Sequence, residues 1–597
     1  MTGHTSQTAT ENPDVVEKDK RGYNRFLLLV AGLGGLLYGV DVGIISGALP
    51  YLEATSGLNA GQLSFIVAAV LLGSVISTLF AGALADRFGR KKLMAASGIL
   101  FVASIPMIAL AHGYGALVFG RLLQGISAGL IGVVVPLYLA ECLGASNRGK
   151  GTGIFQWLLT LGIVAAAVIG LYFSNRVDEV AKLGDADKLF AFKDIAWRSI
   201  FWVSLPPGIL FVIGSLIVAE SPRWLFRRGN IEAARTALLR SRTVEQAESE
   251  LKEMQETANT AAKSSTGDKI RESLLRRKYV IPFVLACVIL ACNQATGVNS
   301  IIGYNASILI QAGLDDRHAH LGYVILTLVN FLMTIGGVML VDRKGRKFLL
   351  SLGSAGIIVS LLCAGTMFLK TEKRRVDARE VVQGMVSTNQ TLSLSFDPAT
   401  AARLMATNQN SEATSLIVIY SYGDFRAATS VVRSDDPTAK PIEIKRESCV
   451  PNNQVVAFFS NPFANLDAAH TAPLKIENAL ITPVPSAKSG WLIAGFLFVF
   501  MAFFAIGPGV CVWLALSELM PTRIRSNGMS VALLVNQAVS TTIAATFLPT
   551  VGRYGYSTMF FVFAGFTVIY FVTATFFLPE TKGKTLEEIE EHFEGKR

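Results

Sequence analysis

The amino-acid sequence predicts an all-α membrane protein whose twelve transmembrane helices form two six-helix pseudo-repeats, with a β-containing insert on the extracytoplasmic side. Three observations support this fold class. Charged residues make up only 16% of the chain and hydrophobic residues 51%, whereas soluble proteins carry about 25% charged residues. Apolar blocks recur at a length of about 20 residues, and one charged motif occurs twice with the same neighbours.

Each apolar block is long enough for one helix to cross the hydrocarbon core of a bilayer, which is about 30 Å thick. Helices of soluble proteins show instead an apolar stripe with a period of about 3.6 residues. The predicted spans are residues 25–48, 62–85, 93–112, 115–141, 151–173, 197–218, 279–311, 320–341, 348–369, 489–517, 524–550 and 555–578. We therefore expect a multi-pass protein embedded in the lipid bilayer.

Lysine and arginine residues predict the orientation of the spans. The connections after spans 1 and 3 contain neither residue, whereas basic residues cluster after spans 2, 4, 8 and 10. By the positive-inside rule the second set faces the cytoplasm, so both termini are cytoplasmic and the expected location is the plasma membrane. The run KTEKRR at 370–375 is an exception, because this scheme places it outside. The basic residues in these loops explain the net charge of +10, so the charge does not indicate a protein that binds nucleic acid.

The run D-R-x-G-R occurs at 86–90 and again at 342–346. The same three residues follow each copy in the same order. The first is a glutamate, the second is an arginine seven residues later, and the third is another glutamate after the sixth span of that half. These markers are Glu141, Arg148 and Glu220 in the first half and Glu518, Arg525 and Glu580 in the second. The order predicts two six-helix repeats of parallel sense.

The marker spacings also locate an insertion. Asp86 precedes Glu141 by 55 residues, whereas Asp342 precedes Glu518 by 176 residues, a surplus of 121. The surplus matches the polar stretch 370–488. Its segments TLSLSFD, SLIVIYSYG, QVVAFF and LKIENALITPV are β-branched or alternating and are bounded by turn residues, which predicts a small β-containing domain. It could cap an entrance, contact an extracytoplasmic partner, or do neither.

These observations divide the chain into seven parts. They are a cytoplasmic N-terminal tail (1–24), an N-terminal six-helix bundle (25–218), cytoplasmic linker helices (219–278), spans 7–9 of the C-terminal bundle (279–369), the extracytoplasmic insert (370–488), spans 10–12 (489–578) and a cytoplasmic C-terminal tail (579–597).

Acidic residues at the cytoplasmic helix ends need an explanation of their own, since acids contribute little to orientation. Pairs with the neighbouring basic residues could form when this side closes and break when it opens, which would give a two-state gate. Alternatively, the basic residues only set the topology. The predicted gate residues are Asp86, Arg90, Glu141, Arg148, Glu220, Arg223, Asp342, Arg346, Glu518, Arg525 and Glu580.

Several motifs occur in a fixed order along the predicted spans. They are D-R-x-G-R-K (twice), GRLLQG at 120–125, PLYLAECLGASNRG at 136–149, ESPRWL at 220–225, NQATGVN at 293–299, GPGVCVW at 507–513 and PETKG at 579–583. Together they resemble the sugar porter family of the major facilitator superfamily, over nearly the whole chain except the N-terminal tail and the insert. The resemblance implies the major facilitator fold.

It further implies a secondary active transporter that imports a monosaccharide (a hexose, pentose or related polyol) by proton symport and alternating access. Such a protein needs no cofactor, because the proton gradient drives it. A facilitative sugar uniporter and a sugar sensor of transporter fold are the alternatives. An enzyme is not expected, because the sequence shows no nucleotide-binding glycine loop, metal cluster or Ser-His-Asp pattern.

Amide side chains inside the spans are the candidates for sugar binding. A polar side chain in an apolar span is costly, and an amide both donates and accepts hydrogen bonds, as sugar hydroxyls do. The resemblance implies that the substrate-binding residues are Gln156, Asn293, Gln294, Asn299, Asn330, Trp513 and Asn536, with Trp513 stacking on the sugar. Hydrogen bonding between helices is the alternative role of any single amide.

Two positions depart from the family pattern. The family commonly has two glutamines before T-G-x-N, and the first is here Asn293; a phenylalanine-tyrosine pair before the aspartate of span 1 is here Tyr38 and Val40. The first departure withdraws one contact to the sugar by about a methylene and so affects sugar preference, and the second alters the expected lid of the pocket.

Asp41 lies about 16 residues into span 1, where an unpaired carboxylate would cost several kcal/mol. Arg121 enters span 4 at a similar depth, so the two residues are predicted to pair. In the resembling family an acid at this position marks proton symporters, which implies a proton-coupling role for Asp41 and Arg121. The alternative is a permanent structural ion pair.

Overall fold

The computed structural model describes residues 13–143, 145–264, 276–405, 413–436, 439–452, 454, 457, 461, 463–521, 524–582, 588–589 and 592–593. Within these ranges, the side chains of residues 13–19, 21, 145–153, 257–264, 342, 513–517 and 525–527 are not described. Twelve helical segments of 20–35 residues in the described chain are long and apolar enough to cross a membrane. The predicted fold class is confirmed.

The first half of the bundle consists of α1 (Pro13–Ser56), α2 (Ala60–Phe88), α3 (Arg90–Ala109), α4 (Tyr114–Cys142), α5 (Ala145–Ala181), α6 (Ala186–Trp202) and α7 (Leu205–Ile217). The described part of the segment between the halves is helical, as its composition indicates, and contains α8 (Pro222–Arg227), α9 (Ile231–Leu239) and α10 (Val244–Ser264).

The second half begins with α11 (Arg277–Ala295), α12 (Val298–Gly303), α13 (Asn305–Gln311), α14 (Asp316–Lys344) and α15 (Arg346–Glu372). The insert follows, with β1 (Val376–Asp377), α16 (Arg379–Gly384), β2 (Leu392–Leu394), α17 (Pro398–Leu404), β3 (Thr414–Tyr422), β4 (Phe425–Ala428), β5 (Val432–Arg433), β6 (Ile442–Ile444), α18 (Leu466–Thr471) and β7 (Leu474–Pro483). The half is completed by α19 (Ala487–Ile506), α20 (Pro508–Leu519), α21 (Arg525–Tyr554), α22 (Tyr556–Val572) and a π-helical turn (Thr573–Phe577).

Three spans are interrupted, although the sequence predicts them as continuous helices at 197–218, 279–311 and 489–517. Span 6 breaks between α6 and α7, just before a Pro-Pro pair, and span 10 breaks at Gly507, just before Pro508. Proline cannot donate the helical hydrogen bond, which explains both breaks. Span 7 breaks at Gly297, whose φ of +83° is left-handed; the consequence for the candidate site is described below.

A glycine face on α1 allows its close approach to α5. Gly35, Gly39, Gly43 and Gly47 follow one another every fourth residue, and a Cβ on Gly39 would collide with the carbonyl oxygen of Leu159. Small residues at this spacing let two membrane helices pack backbone to backbone. Asp41 lies two residues from both Gly39 and Gly43 in the sequence and is 1% exposed.

The insert is a folded domain with two antiparallel sheets. The larger has the strand order β1-β7-β3-β4, with β5 also paired to β3, and the smaller pairs β2 with β6. Three of the four segments predicted as β-rich contain strands. The fourth, QVVAFF, is largely outside the described residues, and its two described positions, Gln454 and Ala457, are helical; a strand prediction is wrong there.

The two ends of the bundle are named here by what they carry. The motif end holds the runs 86–90 and 342–346, and the insert end holds residues 376–483. At the insert end the two halves are in contact. The carboxylate of Asp316 on α14 accepts hydrogen bonds from Tyr51 of α1 at 2.7 Å and Ser174 of α5 at 2.6 Å. The amide of Leu548 on α21 donates to the Ser64 hydroxyl of α2 at 3.0 Å. The insert end is therefore closed in this structure.

Candidate functional site

Three of the predicted amides form one hydrogen-bond network between α11, α12 and α21. Gln294 Nε2 donates to Asn536 Oδ1 at 3.2 Å, and Asn299 Nδ2 donates to Gln294 Oε1 at 2.9 Å. Asn299 Nδ2 also lies 2.8 Å from the Ser540 hydroxyl. Gln294 is thus the hub of the network, with one amide atom donating and the other accepting.

The break in span 7 brings Asn299 into this network. Gly297 separates α11 from α12, and a Cβ there would collide with the ring of Phe563. Its positive φ is a conformation that glycine adopts readily and residues with a side chain adopt rarely. Because the helix restarts after this turn, Asn299 returns toward Gln294 five residues earlier in the chain. Helix ends inside a membrane are a common way to build a polar site there.

Asn293 does not join the network, although it is adjacent to Gln294. Its side chain is buried, and its Nδ2 donates to the carbonyl oxygen of Pro508 at 3.4 Å. That carbonyl belongs to the first residue of α20, next to the break in span 10. The contact holds span 7 against the interruption of span 10.

Gln156 and Asn330 lie on α5 and α14, which face each other across the two halves. The residue after each one makes the contact: the rings of Trp157 and Phe331 stack with centroids 5.5 Å apart. Gln156 is exposed, and Asn330 is 9% exposed. α5 and α14 thus each carry an amide next to a residue that makes this contact between the halves. The predicted stacking residue, Trp513, has a side chain outside the described residues.

Asp41 and Arg121 lie together, as the sequence predicts. Arg121 Nη1 is 3.7 Å from Asp41 Oδ1, and both side chains are at most 2% exposed. The same Nη1 donates to Gln124 Oε1 at 2.7 Å, and the guanidinium lies 5.6 Å from the ring centre of Phe201. Within the described residues neither carboxylate oxygen of Asp41 accepts a hydrogen bond. The aspartate thus has a charge partner but no hydrogen-bond donor.

At the motif end of the first half, Arg90 at the start of α3 joins this helix to α2 and α4. Its guanidinium lies 2.8 and 2.9 Å from the carboxylate oxygens of Glu141 on α4 and 2.9 Å from Asp86 on α2. Glu220 caps the start of α3, because its Oε1 accepts the backbone N–H groups of Arg90 and Lys91 at 3.0 and 3.1 Å. A carboxylate at a helix N-terminus also meets the positive end of the helix dipole.

The second half repeats this arrangement. Arg346 Nη2 contacts Glu518 Oε1 at 3.0 Å, and the Glu580 carboxylate accepts the backbone N–H groups of Arg346 and Lys347 at 3.1 Å each. The hydroxyl of Thr581 donates to Glu518 as Ser221 does to Glu141 in the first half. The ion pair, the glutamate cap and the hydroxyl contact thus occur at equivalent positions in the two halves.

The backbone conformation and the space available explain why each D-R-x-G-R run contains a glycine. Gly89 and Gly345 have φ values of +98° and +87°. A Cβ on Gly89 would collide with the Glu220 carboxylate, and one on Gly345 would crowd that of Glu580. The glycine therefore lets a glutamate approach the first turn of the next helix.

All of these described ion pairs connect helices within one half. The side chains of Arg148, Asp342 and Arg525 lie outside the described residues, and Arg223 lies half-buried on α8. The described network therefore holds the helix ends of each half together in this structure, and its pairs do not join one half to the other.

Replacing Arg90 by alanine should lower the melting temperature of the purified protein more than the equivalent change of Arg346. The Arg90 and Glu141 side chains are 2% and 6% exposed, whereas those of Arg346 and Glu518 are 13% and 27% exposed. A buried carboxylate left without its partner costs about 3–5 kcal/mol, and water reduces this penalty in the second pair. Thermal unfolding in detergent measures the melting temperatures of both variants, and an equal decrease in the two would contradict this explanation.

The structure also shows polar residues that sequence reasoning missed. At the insert end, His320 is fully buried, its ring stacks on Tyr51 with centroids 5.6 Å apart, and its Nε2 is 3.2 Å from the Gly47 carbonyl oxygen. With Asp316 it joins the two halves. The run DDRHAH at 315–320 was an available signal, because charged residues there open a predicted span. For Gln124, the partner of Arg121, the sequence contained no indication of a role beyond its place in the motif GRLLQG.

Two bundles of membrane-spanning helices that meet along a polar seam are the architecture of a multi-pass membrane transporter. The chain belongs to the sugar (and other) transporter family, whose sequence profile matches residues 27–389 and 474–593. The unmatched residues 390–473 lie within the insert and contain β2 to β6.

Similar proteins span nearly the whole chain. The glucose transporter GlcP of Staphylococcus epidermidis is 27% identical, over 95% of this chain and 97% of its own length. The proton myo-inositol cotransporter of Homo sapiens is 28% identical, over 96% of this chain and 82% of its own. The xylose transporter XylE from E. coli, in a partially occluded inward open conformation, has the same fold, with a TM-score of 0.62 and 20% identity over 94% of this chain and 100% of that one.

Proposed function

We propose that this protein imports a monosaccharide, a hexose, pentose or related polyol, by proton symport and alternating access. The observation that carries the proposal is the buried pair of Asp41 and Arg121, 3.7 Å apart, in a transporter whose second half presents a network of amides. A titratable group inside the membrane is a candidate for ion movement, and the amides are candidates for substrate binding.

The amide network supports the sugar site. Gln294, Asn299 and Asn536 already donate to and accept from one another, so a sugar hydroxyl can replace either partner without leaving a buried group unsatisfied. Gln156 and Asn330 complete the site from the two sides of the seam, and Trp513 supplies the aromatic face. Asn293 is assigned a packing role. Relatives named as glucose, myo-inositol and xylose transporters are consistent with a polyhydroxylated substrate.

Asp41 carries the proton in this proposal. Its oxygens have no hydrogen-bond donor in the described structure, and Arg121 also donates to Gln124. Burial favours the neutral acid and the nearby arginine favours the carboxylate, so a small movement of Arg121 is enough to change the balance. Proton binding and release can therefore follow the movement of the helices.

The motif end faces the cytoplasm in this proposal, with both termini, and the membrane is the plasma membrane. The clusters of basic residues at that end support the orientation. The insert end is then the extracytoplasmic gate, and the residues around Arg90 and Arg346 keep each half rigid as the cytoplasmic gate opens and closes.

A facilitative uniporter is the second candidate function. The observation that favours it is the burial of both Asp41 and Arg121, at most 2% exposed, which also fits a permanent ion pair. In that case sugar would cross only down its own gradient.

Uptake by proteoliposomes tests the proposal. Labelled hexoses, pentoses and polyols are offered with and without an imposed pH gradient, acidic outside. We expect at least one monosaccharide to enter, and to accumulate above its external concentration only with the gradient. Uptake that is equal with and without the gradient would support the uniporter, and no uptake of any of these compounds would contradict the sugar assignment.

A further inference from the structure

The insert is joined to the second half of the bundle at both of its ends. β1 follows α15 and β7 precedes α19, so both connections are short. Arg375, at the start of the insert, pairs with Glu372 of α15 at 3.3 Å and donates to the Thr482 hydroxyl of β7 at 3.2 Å. The insert must therefore move with the second half.

The central strand of the insert has two buried faces. Leu416, Val418, Tyr420 and Tyr422 of β3 pack in the core of the insert itself. Ile417 and Ile419 point the other way and join a buried cluster with Phe547, Leu548 and Val551 of α21. Because side chains alternate along a strand, one sheet can serve both cores. The insert is thus packed onto the helix ends rather than tethered above them.

The insert also makes polar contacts with the first half. Asn59 Nδ2 donates to the carbonyl oxygen of Ser448 at 2.7 Å. Lys193 Nζ lies 3.4 Å from Asp436 Oδ2. Lys440 Nζ lies 3.9 Å from the centre of the Phe190 ring. These contacts reach two separate places on the first half, the start of α2 and helix α6.

Between these attachments the insert covers the seam. Strand β4 packs against both α2 and α21, the two helices that are joined by the hydrogen bond from Leu548 to Ser64. A domain fixed to one half and bonded to the other resists any motion that separates them at this end.

We propose that the insert is an outer clasp: it holds the insert end closed, and its contacts through Asn59, Lys193 and Phe190 must break before that end can open. The inference rests on the alternating movement of the two halves, and on neither the identity of the substrate nor proton coupling. The clasp raises the population of the state that is closed at the insert end.

The chain offers closely matched variants for a test. Asn59 also caps α2, since its Oδ1 accepts the N–H group of Gln62. Asn59→Asp keeps this cap, because aspartate is a good N-cap residue, but removes the donor to Ser448. Combined with Lys193→Ala it forms the clasp variant. The control combines Gln62→Ala, which breaks only the capping box, with Lys188→Ala, which removes an exposed ion pair with Asp185 at the start of α6.

The readout is a distance between the halves. Spin labels are placed on Leu183→Cys and Lys488→Cys, both at exposed positions, in the full-length chain after its six cysteines are replaced. Pulsed electron spin resonance in lipid nanodiscs without substrate then gives the distribution of distances across the insert end. We expect the long-distance, open population to rise about fivefold in the clasp variant, as the loss of one hydrogen bond and one ion pair implies, and to stay unchanged in the control.

An unchanged distribution in the clasp variant would overturn the proposal, as would an equal rise in the control. A charge exchange, Lys193→Asp with Asp436→Lys, keeps the ion pair with reversed polarity and should retain the closed distribution of the original chain, whereas Lys193→Asp alone should open it. Equal opening by both would also overturn the proposal. Because no sugar or pH gradient is present, these outcomes are independent of the transport assays.

Discussion

Replacing Asp41 by asparagine should abolish sugar accumulation driven by a pH gradient. Asparagine keeps the size of the side chain but cannot bind or release a proton at physiological pH. Exchange of sugar down its own gradient should survive, because Gln294, Asn299 and Asn536 lie on the other half of the bundle. Accumulation in vesicles measures the first activity, and counterflow of labelled sugar measures the second.

Two further variants serve as controls for this result. Asp41→Glu keeps the titrating group, so accumulation should persist at a reduced rate, since the longer side chain must fit beside a close helix contact. Arg121→Gln should move the pH dependence of accumulation to higher pH, because the cation that favours the ionised carboxylate is lost. Accumulation by Asp41→Asn equal to that of the original chain would refute the proton-coupling role.

Replacing Gln294 by alanine should raise the KM for sugar by about tenfold to a hundredfold. Gln294 joins Asn299 to Asn536, so its loss removes about two hydrogen bonds to the substrate or to the residues that orient it, each worth about 1 kcal/mol. The neighbouring residue provides the control. Asn293 donates to the Pro508 carbonyl oxygen outside the network, so Asn293→Ala should lower thermal stability and leave the KM nearly unchanged.

Uptake kinetics and thermal unfolding of the two variants separate these roles. An equal rise in KM for both would show that the hydrogen-bond network does not distinguish them. A normal KM for Gln294→Ala would place the sugar elsewhere on the seam.

The twelve spans could be predicted from sequence because the bilayer imposes one length and one polarity on every spanning helix. The internal repeat followed from the spacing of charged residues, which membrane helices tolerate at few places. The interruptions of spans 6, 7 and 10 were missed, although Pro206, Gly297 and Pro508 stand at or next to them. A hydropathy pattern does not distinguish a straight helix from two short ones with the same apolar residues.

For the candidate site, the sequence predicted which amides lie inside the spans but not the direction in which each one points. Asn293 and Gln294 are neighbours in span 7, yet adjacent residues on a helix point about 100° apart. Only the packed structure shows that Gln294 meets Asn536 whereas Asn293 meets the backbone of span 10. The hydrogen bond between Tyr51 and Asp316, which are 265 residues apart, could not be predicted from the sequence either.

The position of the insert was predictable, and its docking was not. The surplus spacing located it, and the alternation of β3 indicated a strand, but nothing in a single sequence says what the second face of that strand covers. Its apolar residues Ile417 and Ile419 are buried against α21, so the insert belongs to the packing of the bundle as well as to its own core.

Proton movement caused by sugar is the most direct test of the central claim. Proteoliposomes containing a pH-sensitive dye, with equal pH on both sides and ionophores that clamp the membrane potential, receive a transported sugar on the outside. Symport predicts that sugar entering down its own gradient brings protons with it, so the lumen becomes acidic in the original chain and remains unchanged in Asp41→Asn. Sugar entry into the original chain without any acidification of the lumen would contradict the account.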